Sequence, residues 1–207
     1  MSPDRECRSG FLALGDSYTI GEGVADSERW PNQLAVALRG RGVAMDDPRI
    51  IATTGWTTDE LIAAIDGADL SNDHAMVSLL IGVNNQYRGL SFEDYLTEFS
   101  NLLDRSIELA GGHRDRVLVV SIPDWGVTAF ARNSGRDIAV ITTEIDGFNA
   151  NAQSIAATHG VAFIDITDLT RAYPEEVVDD ALHPDAAHYA RWVERLLPVA
   201  EKALTTA

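Results

Sequence analysis

Short apolar runs alternate along this chain with longer stretches in which apolar residues recur every three or four positions. The runs have the length of buried strands and lie at residues 11–14, 49–53, 75–83, 117–122 and 161–164. The clearest of the longer stretches spans residues 92–107, and its spacing is typical of a helix with one face in a core. Because right-handed crossovers place helices on both faces of a parallel sheet, the alternation predicts a three-layer α/β/α sandwich with five parallel strands.

Capping residues and glycines mark the ends of the predicted helices. Thr57-x-x-Glu60 is a capping box, and Ser91 and Asp185 are N-cap candidates for two later helices. Pro31 suits the first turn of the first helix. Helix ends are predicted at Gly40, Gly42, Gly111, Gly112 and Gly160.

Length and composition indicate a single domain. The chain has 207 residues, of which 45% are hydrophobic, enough for one sizeable core. We predict one domain over residues 11–207, preceded by a flexible polar tail over residues 1–10. No stretch approaches the length of a membrane span, and the first residues show no secretory signal, so we expect no membrane insertion and a cytoplasmic location. Cys7, the single cysteine, excludes a disulfide framework.

The charge balance narrows the choice of partners. Acidic residues outnumber basic ones by 32 to 16, which gives a formal net charge of -16. Such a charge repels phosphate backbones and anionic membrane surfaces. We therefore expect no nucleic-acid partner and look for a small-molecule substrate.

The best candidate for chemistry follows the first predicted strand, where Gly15-Asp16-Ser17 places a serine at the carboxyl edge of the sheet. A serine hydroxyl is a weak nucleophile unless a base takes its proton. Near the other end of the chain, Asp180-x-x-His183 can set a carboxylate beside one imidazole nitrogen while the other nitrogen points at the serine. Asp179 is adjacent, but the spacing favours Asp180.

In four separated blocks the sequence resembles the GDSL, or SGNH, hydrolase family. The first block is Gly15-Asp16-Ser17-Tyr18, with Tyr where the family's name has Leu. The second is Gly55, after the second strand, and the last is the Asp180 to His183 pair. The third, Gly-x-Asn-Asp in the family, is Gly82-Val83-Asn84-Asn85, with Asn85 in place of the usual Asp. The blocks run in the family's order and cover about residues 11 to 195.

This resemblance implies a flavodoxin-like strand order and a serine hydrolase acting on a small carboxylic ester or thioester. Ser17 would be the nucleophile, His183 the base, and Asp180 the group that orients the imidazole. The N–H groups of Ser17 and Gly55 and the amide of Asn84 would form the oxyanion hole. No metal or organic cofactor is implied.

Four further residues are candidates for lining the substrate site. Asp16 and Asn85 belong to the first and third family blocks, while Trp125 and Phe130 lie in a stretch that is predicted to be a long loop, residues 124–137. The two aromatic residues can equally serve only to pin that loop to the body of the protein. The remaining histidines are expected to be solvated, namely His74, His113, His159 and His188.

Other functions compete with a small-ester hydrolase. Carbohydrate O-acetylesterases and lysophospholipases share the resembled fold, although the net charge and the lack of a lipid-seeking helix disfavour an interfacial lipase. A different class is a non-catalytic flavodoxin-like domain that binds an anion at Gly15-Asp16-Ser17, with Asp180 and His183 bracing a loop. A dinucleotide site at Gly21-Glu22-Gly23 is disfavoured because the third glycine of that motif is missing. Asp165 and Asp168 lack His or Cys companions at metal-ligand spacing.

Overall fold

A computed structural model describes residues 9–205 of the chain. Its sheet has five parallel strands in the order β2-β1-β3-β4-β5, which is the flavodoxin-like order. This confirms the predicted fold class. The strands are β1 (Phe11–Gly15), β2 (Arg49–Ala52), β3 (Met76–Leu80), β4 (Val117–Val120) and β5 (Ala162–Ile164).

Nine α-helices connect and follow these strands within the described residues. They are α1 (Ser17–Ile20), α2 (Trp30–Gly40), α3 (Thr58–Gly67), α4 (Val83–Arg88), α5 (Phe92–Leu109), α6 (Ala129–Asn133), α7 (Ile138–His159), α8 (Thr167–Ala172) and α9 (Ala186–Thr205). Helix α2 packs against α9, whereas α5 packs against both α3 and α7. The two groups cover opposite faces of the sheet, as crossovers of one hand require.

The core lies along the middle of the sheet. Strands β1, β3 and β4 are buried over their whole length, while the edge strands β2 and β5 are partly exposed. Strands covered on both faces bury side chains at every position, which is why these segments are almost entirely apolar rather than alternating, with Ser78 the one polar side chain among them. The carboxyl ends of the three buried strands meet at one edge, and Ser17 lies there.

The third apolar run is shorter as a strand than predicted. Strand β3 ends at Leu80, and Val83 begins helix α4 instead of continuing the strand. Gly82 makes this turn possible, because its φ is 128° and a Cβ there would lie 2.7 Å from the Tyr95 ring. Asn84 therefore lies in the first turn of a helix and not in a loop. An apolar run alone does not distinguish strand from buried helix.

The predicted loop at residues 124–137 is also more ordered than expected. It contains a 3₁₀ turn at Trp125–Val127 and the short helix α6. Thr128 caps α6 by accepting a hydrogen bond from the Ala131 N–H. The stretch is too short to show helical periodicity in the sequence, so only its tertiary contacts define it.

Two of the histidines expected to be solvated are buried. The His74 ring nitrogen lies 3.1 Å from the Leu109 carbonyl, and His188 lies 3.3 Å from the Glu176 carboxylate. The expectation was wrong because both lie on segments whose polar partners come from elsewhere in the chain. For His188, burial lowers the pKa and outweighs the opposing effect of Glu176.

The predicted N-terminal tail lies mostly outside the described residues, and so does Cys7. Within the description, the Ser9 carbonyl accepts a hydrogen bond from Asp46 N–H, and the Gly10 carbonyl accepts one from Ala75 N–H. None of the helices found between residues 9 and 205 has the length and apolar character needed to cross a bilayer.

Candidate active site

Ser17 begins helix α1 directly beyond the end of β1. Asp16 caps this helix through Oδ1, which accepts a hydrogen bond from the Tyr18 N–H at 3.0 Å. Gly15 is needed at this turn, since a Cβ there would lie 2.2 Å from Thr19 Oγ1 and 2.5 Å from the Leu80 carbonyl oxygen. The tight strand-to-helix turn sets the serine hydroxyl at the edge of the sheet, where only 4% of the residue is exposed.

A tight loop before α9 brings His183 to this serine. Val177 and Pro184 form an isolated antiparallel bridge, and the Val178 N–H donates to the His183 carbonyl at 2.9 Å. His183 Nε2 lies 2.9 Å from Ser17 Oγ, across 166 residues of sequence. The two residues predicted to form a nucleophile and base pair are therefore within hydrogen-bond distance.

Asp180 completes this hydrogen-bond chain. Its Oδ2 lies 2.5 Å from His183 Nδ1, while Oδ1 accepts from the N–H groups of Leu182 and His183. Burial acts to raise the pKa of Asp180, but the hydrogen bonds from His183 and Leu182 outweigh it and hold that pKa below its usual value. Asp179 is exposed, and no hydrogen bond joins it to His183 in the part of the chain that is described.

A cavity of about 180 Å³ opens above the serine. Trp125 and Phe130 line it, as predicted, together with Gly55, Asn84, Ser17 and His183. Sequence reasoning missed five lining residues, namely Tyr18, Thr54, Val83, Tyr87 and Leu182. Tyr87 is on helix α4, and the only signal for that helix in the sequence is the pair of glycines, Gly82 and Gly89, that bound it.

Gly55 and Asn84, both predicted to be oxyanion donors, line the same cavity. Gly55 has a φ of 88°, and its carbonyl accepts a hydrogen bond from Arg88 Nη2 at 2.5 Å. Asn84 Nδ2 donates one hydrogen to the Trp56 carbonyl at 2.9 Å. An amide nitrogen carries two hydrogens, so the bond to Trp56 fixes the group while the second hydrogen stays available to a ligand.

A comparison with family models identifies the family of this chain. The model of the GDSL-like lipase/acylhydrolase family matches residues 13–191. The chain belongs to this family. No curated protein sequence is significantly similar to it.

Solved structures with this fold are similar over nearly the whole chain. TesA is 19% identical with a TM-score of 0.69 and covers 94% of this chain and 99% of its own. The psychrotrophic esterase EstA from Pseudoalteromonas sp. is 15% identical with a TM-score of 0.69, covering 95% and 98%. A catalytic mutant of Axe2, an acetylxylan esterase from Geobacillus stearothermophilus, is 15% identical with a TM-score of 0.71, covering 93% and 94%. At these identities the likeness shows a shared fold.

Asp16 and Asn85, both predicted to line the substrate site, do not line the cavity. Asp16 is fully buried as the cap of α1. Asn85 is buried between α4 and the start of α3, where it accepts from the Thr58 N–H at 3.1 Å and donates to Thr58 Oγ1 at 2.7 Å. Their neighbours along the chain reach the cavity because successive residues of a helix point in different directions.

The same contacts account for Asn85, which departs from the family's usual Asp. Thr58 Oγ1 donates its own hydrogen to the Glu98 carboxylate, so it has to accept at its other side. The amide of Asn85 supplies that hydrogen. An aspartate there would set a second carboxylate against the hydroxyl that already serves Glu98.

Asp124, which sequence reasoning did not select, holds the aromatic wall of the cavity. Its buried carboxylate accepts from the Gly126 N–H and pairs with Arg171 Nε, each at 2.9 Å. Trp125 Nε1 in turn donates to Gln86 Oε1 at 2.8 Å. Trp125 therefore both lines the cavity and pins the loop.

No group of three or more His, Cys, Asp or Glu side chains that could hold a metal ion occurs among residues 9–205. Asp168 instead forms an ion pair with Arg195, and Asp165 accepts from the Thr167 N–H at 2.9 Å. Both aspartates thus have structural partners.

Asp16 is buried without a cation. Burial raises the pKa of its carboxyl from 3.8 to about 7, and the hydrogen bond from Tyr18 N–H only partly opposes this. Its Oδ2 has no hydrogen-bond partner in the described structure. Folded protein therefore retains a proton that the unfolded chain releases near pH 4.

We expect the free energy of unfolding of the natural chain to fall as pH rises, and we expect Asp16→Asn to abolish this fall. Between the unfolded and folded pKa values the folded state binds more protons, so its free energy of unfolding falls with increasing pH. From pH 5 to pH 8 this amounts to on the order of 3 kcal/mol, at about 1.4 kcal/mol per pKa unit. Asparagine keeps an acceptor for the Tyr18 N–H and does not titrate.

Urea unfolding of both proteins at pH 5 and pH 8 measures this effect. The advantage of Asp16→Asn over the natural chain should grow with pH. Asp69→Asn, at an exposed position, is the matched control. A difference between Asp16→Asn and the natural chain that is the same at both pH values would contradict the prediction.

Proposed function

We propose that this protein hydrolyses a carboxylic ester or thioester of a small soluble substrate through an acyl-enzyme intermediate. One observation carries the proposal. Ser17 Oγ, His183 and Asp180 form an unbroken chain, with 2.9 Å between Oγ and Nε2 and 2.5 Å between Nδ1 and Oδ2. A nucleophile, a base and an orienting carboxylate in this order are the requirement for serine hydrolysis.

Acylation begins when Ser17 Oγ attacks the substrate carbonyl and His183 Nε2 takes the hydroxyl proton. The carbonyl oxygen becomes negatively charged in the tetrahedral intermediate. The N–H groups of Ser17 and Gly55 and the free amide hydrogen of Asn84 stabilise that charge. His183 then gives its proton to the departing alkoxide or thiolate, and the acyl group stays on Ser17.

Deacylation repeats these steps with water. His183 takes a proton from a water molecule, the resulting hydroxide attacks the acyl carbonyl, and Ser17 leaves with the proton that His183 returns. Asp180 keeps the hydrogen of the imidazole on Nδ1 throughout, so Nε2 remains the basic nitrogen. It also stabilises the imidazolium that forms in each half-reaction.

The cavity supports a small acyl group. Its volume is about 180 Å³, and Trp125, Phe130 and Leu182 form apolar parts of its wall. A carbohydrate O-acetylester is the second candidate, because an acetyl group fits this volume. A lysophospholipid is less favoured, since the net charge of -16 repels anionic lipid surfaces.

A non-catalytic anion-binding domain is disfavoured by the same geometry. Such a domain has no use for an imidazole 2.9 Å from the serine hydroxyl, with its second nitrogen held by Asp180.

Hydrolysis of p-nitrophenyl esters from acetate through decanoate tests the proposal. We expect the highest kcat/KM for acetate or butyrate and a decline with longer chains. A fluorophosphonate probe should label Ser17. A protein that is silent on every ester and unlabelled by the probe would leave the anion-binding domain as the better explanation.

Asn84→Ala is expected to lower kcat about 10² to 10³-fold with little change in KM, because an oxyanion donor acts mainly in the transition state. Asn72→Ala, at an exposed position, is the matched control. Thermal unfolding should accompany the kinetics, since Asn84 also donates to the Trp56 carbonyl. An unchanged kcat in a folded variant would remove Asn84 from the oxyanion hole.

A further inference from the structure

A second groove adjoins the catalytic cavity. It has a volume of about 380 Å³ and lies between helix α4 and the start of α7. Tyr87 lines both the groove and the cavity, so the two spaces share this side chain as part of their walls. Two arginines, Arg88 and Arg136, line the groove.

The guanidinium of Arg136 is stacked on the aromatic wall. Its Cζ lies 4.4 Å from the centre of the Tyr87 ring and 5.7 Å from that of Trp125. Both rings line the catalytic cavity. Stacking of this kind holds a flexible cation in one place while its N–H edges remain available to hydrogen-bond acceptors.

Arg136 also lacks an acidic partner. Across residues 9–205, no carboxylate oxygen lies within 4 Å of its guanidinium. This is notable in a chain with 32 acidic and 16 basic residues. Arg88, by contrast, donates to the Gly55 carbonyl and lies 3.5 Å from the Glu60 carboxylate.

The acidic residues of the groove are engaged by other donors. Asp137 Oδ1 accepts from the Ala139 N–H at 2.9 Å, as the cap of α7. Glu144 Oε2 accepts from Gln86 Nε2 at 2.7 Å. Neither carboxylate neutralises Arg136 directly, so its charge faces solvent beside the cavity.

We propose that Arg136 binds an anionic group, a carboxylate or a phosphate, on the substrate. This inference rests on the proposed function and specifies its substrate class. The substrate is an ester with a negatively charged group that reaches the groove while the scissile carbonyl lies in the cavity. A guanidinium fixed by stacking loses little freedom when it binds a planar or tetrahedral anion. Arg136 thereby offsets, at the cavity mouth, the repulsion that the net charge of -16 exerts on an anionic substrate.

Matched esters test this inference. One substrate is the acetate ester of a hydroxynitrobenzoic acid, whose free carboxylate makes it anionic. The other is the acetate ester of the methyl ester of the same acid, which is neutral. The quantity compared is the ratio of kcat/KM for the anionic ester to that for the neutral one. We expect Arg136→Met to lower this ratio roughly 10-fold, mainly through KM, as for the loss of one charge-assisted contact.

Controls separate a local site from a general effect of charge. Arg114→Met removes a charge from an exposed position before β4, at the opposite edge of the sheet, and should leave the ratio unchanged. Arg136→Lys keeps the positive charge and should retain part of the preference for the anionic ester. The inhibition constants of benzoate and phenyl phosphate, measured as competitive inhibitors of neutral-ester hydrolysis, show which anion is preferred. Arg136→Met should raise the inhibition constant of the preferred anion.

The outcomes distinguish this inference from the proposed function. Failure to hydrolyse these two esters and the p-nitrophenyl series, with no labelling by the fluorophosphonate probe, would overturn the proposed function. Hydrolysis of both with the same ratio in the natural chain and in Arg136→Met would overturn the anion site alone. If Arg136→Met does not fold, inhibition of the natural chain decides: benzoate should inhibit hydrolysis of the neutral ester more strongly than the uncharged benzamide does, and equal inhibition by the two would contradict the inference.

Discussion

Ser17→Ala is expected to reduce kcat for ester hydrolysis by roughly 10⁵ to 10⁶-fold, the scale of losing the nucleophile in a serine hydrolase. Without Oγ no acyl-enzyme can form, although the cavity and the oxyanion donors remain. His183→Ala should have a similar effect, because Ser17 Oγ lies 2.9 Å from its Nε2 and depends on that nitrogen to lose its proton. The double variant should be hardly worse than either single one, since the residues act as a unit.

The p-nitrophenyl ester that the natural chain hydrolyses best is the substrate for this measurement. Burst kinetics should show one p-nitrophenolate released per active site in the natural chain, as the acyl group is transferred to Ser17, and none in Ser17→Ala. Ser71→Ala, at an exposed serine, is the matched control and should keep full activity. A folded Ser17→Ala protein with the natural rate would mean that the nucleophile is another residue.

Asp180→Asn is expected to lower kcat about 10⁴-fold, because an amide at this position favours the wrong imidazole tautomer. The substitution should change the imidazole tautomer without changing the loop that holds His183. Asparagine can still accept the hydrogen bonds that Asp180 Oδ1 takes from the Leu182 and His183 N–H groups, so the loop should keep its shape. Only the contact of Oδ2 with His183 Nδ1 loses its acceptor.

Asp179→Asn is the matched control, one residue away and exposed. It should change kcat by less than about threefold. Both variants should keep KM near the natural value, since Asp180 acts on the imidazole and not on bound substrate. A severe loss in Asp179→Asn together with a mild one in Asp180→Asn would reverse the assignment of the two carboxylates.

Much of the fold could be predicted from the sequence because its signals are local. Continuous apolar runs of strand length and amphipathic stretches of helix length alternate regularly, and the five strands follow from that alternation. The prediction of strand or helix failed where one local pattern is compatible with both. The run at residues 75–83 ends as helix α4 because Gly82 turns the chain against the Tyr95 ring, a residue of the next helix.

The sequence by itself determined the order of strands and helices and supplied the candidates for hydrolysis at one edge of the sheet. Ser17 follows β1, and Asp180 and His183 share one short loop, so residue type and spacing made them the candidates. Only the tertiary structure decided their partners: the 2.9 Å contact of Ser17 with His183, the burial of Asp16, the bond of Asn85 to Thr58 and the stacking of Arg136 on Tyr87. These depend on atoms brought together from distant parts of the chain, and burial and hydrogen-bond geometry exist only once the chain has folded.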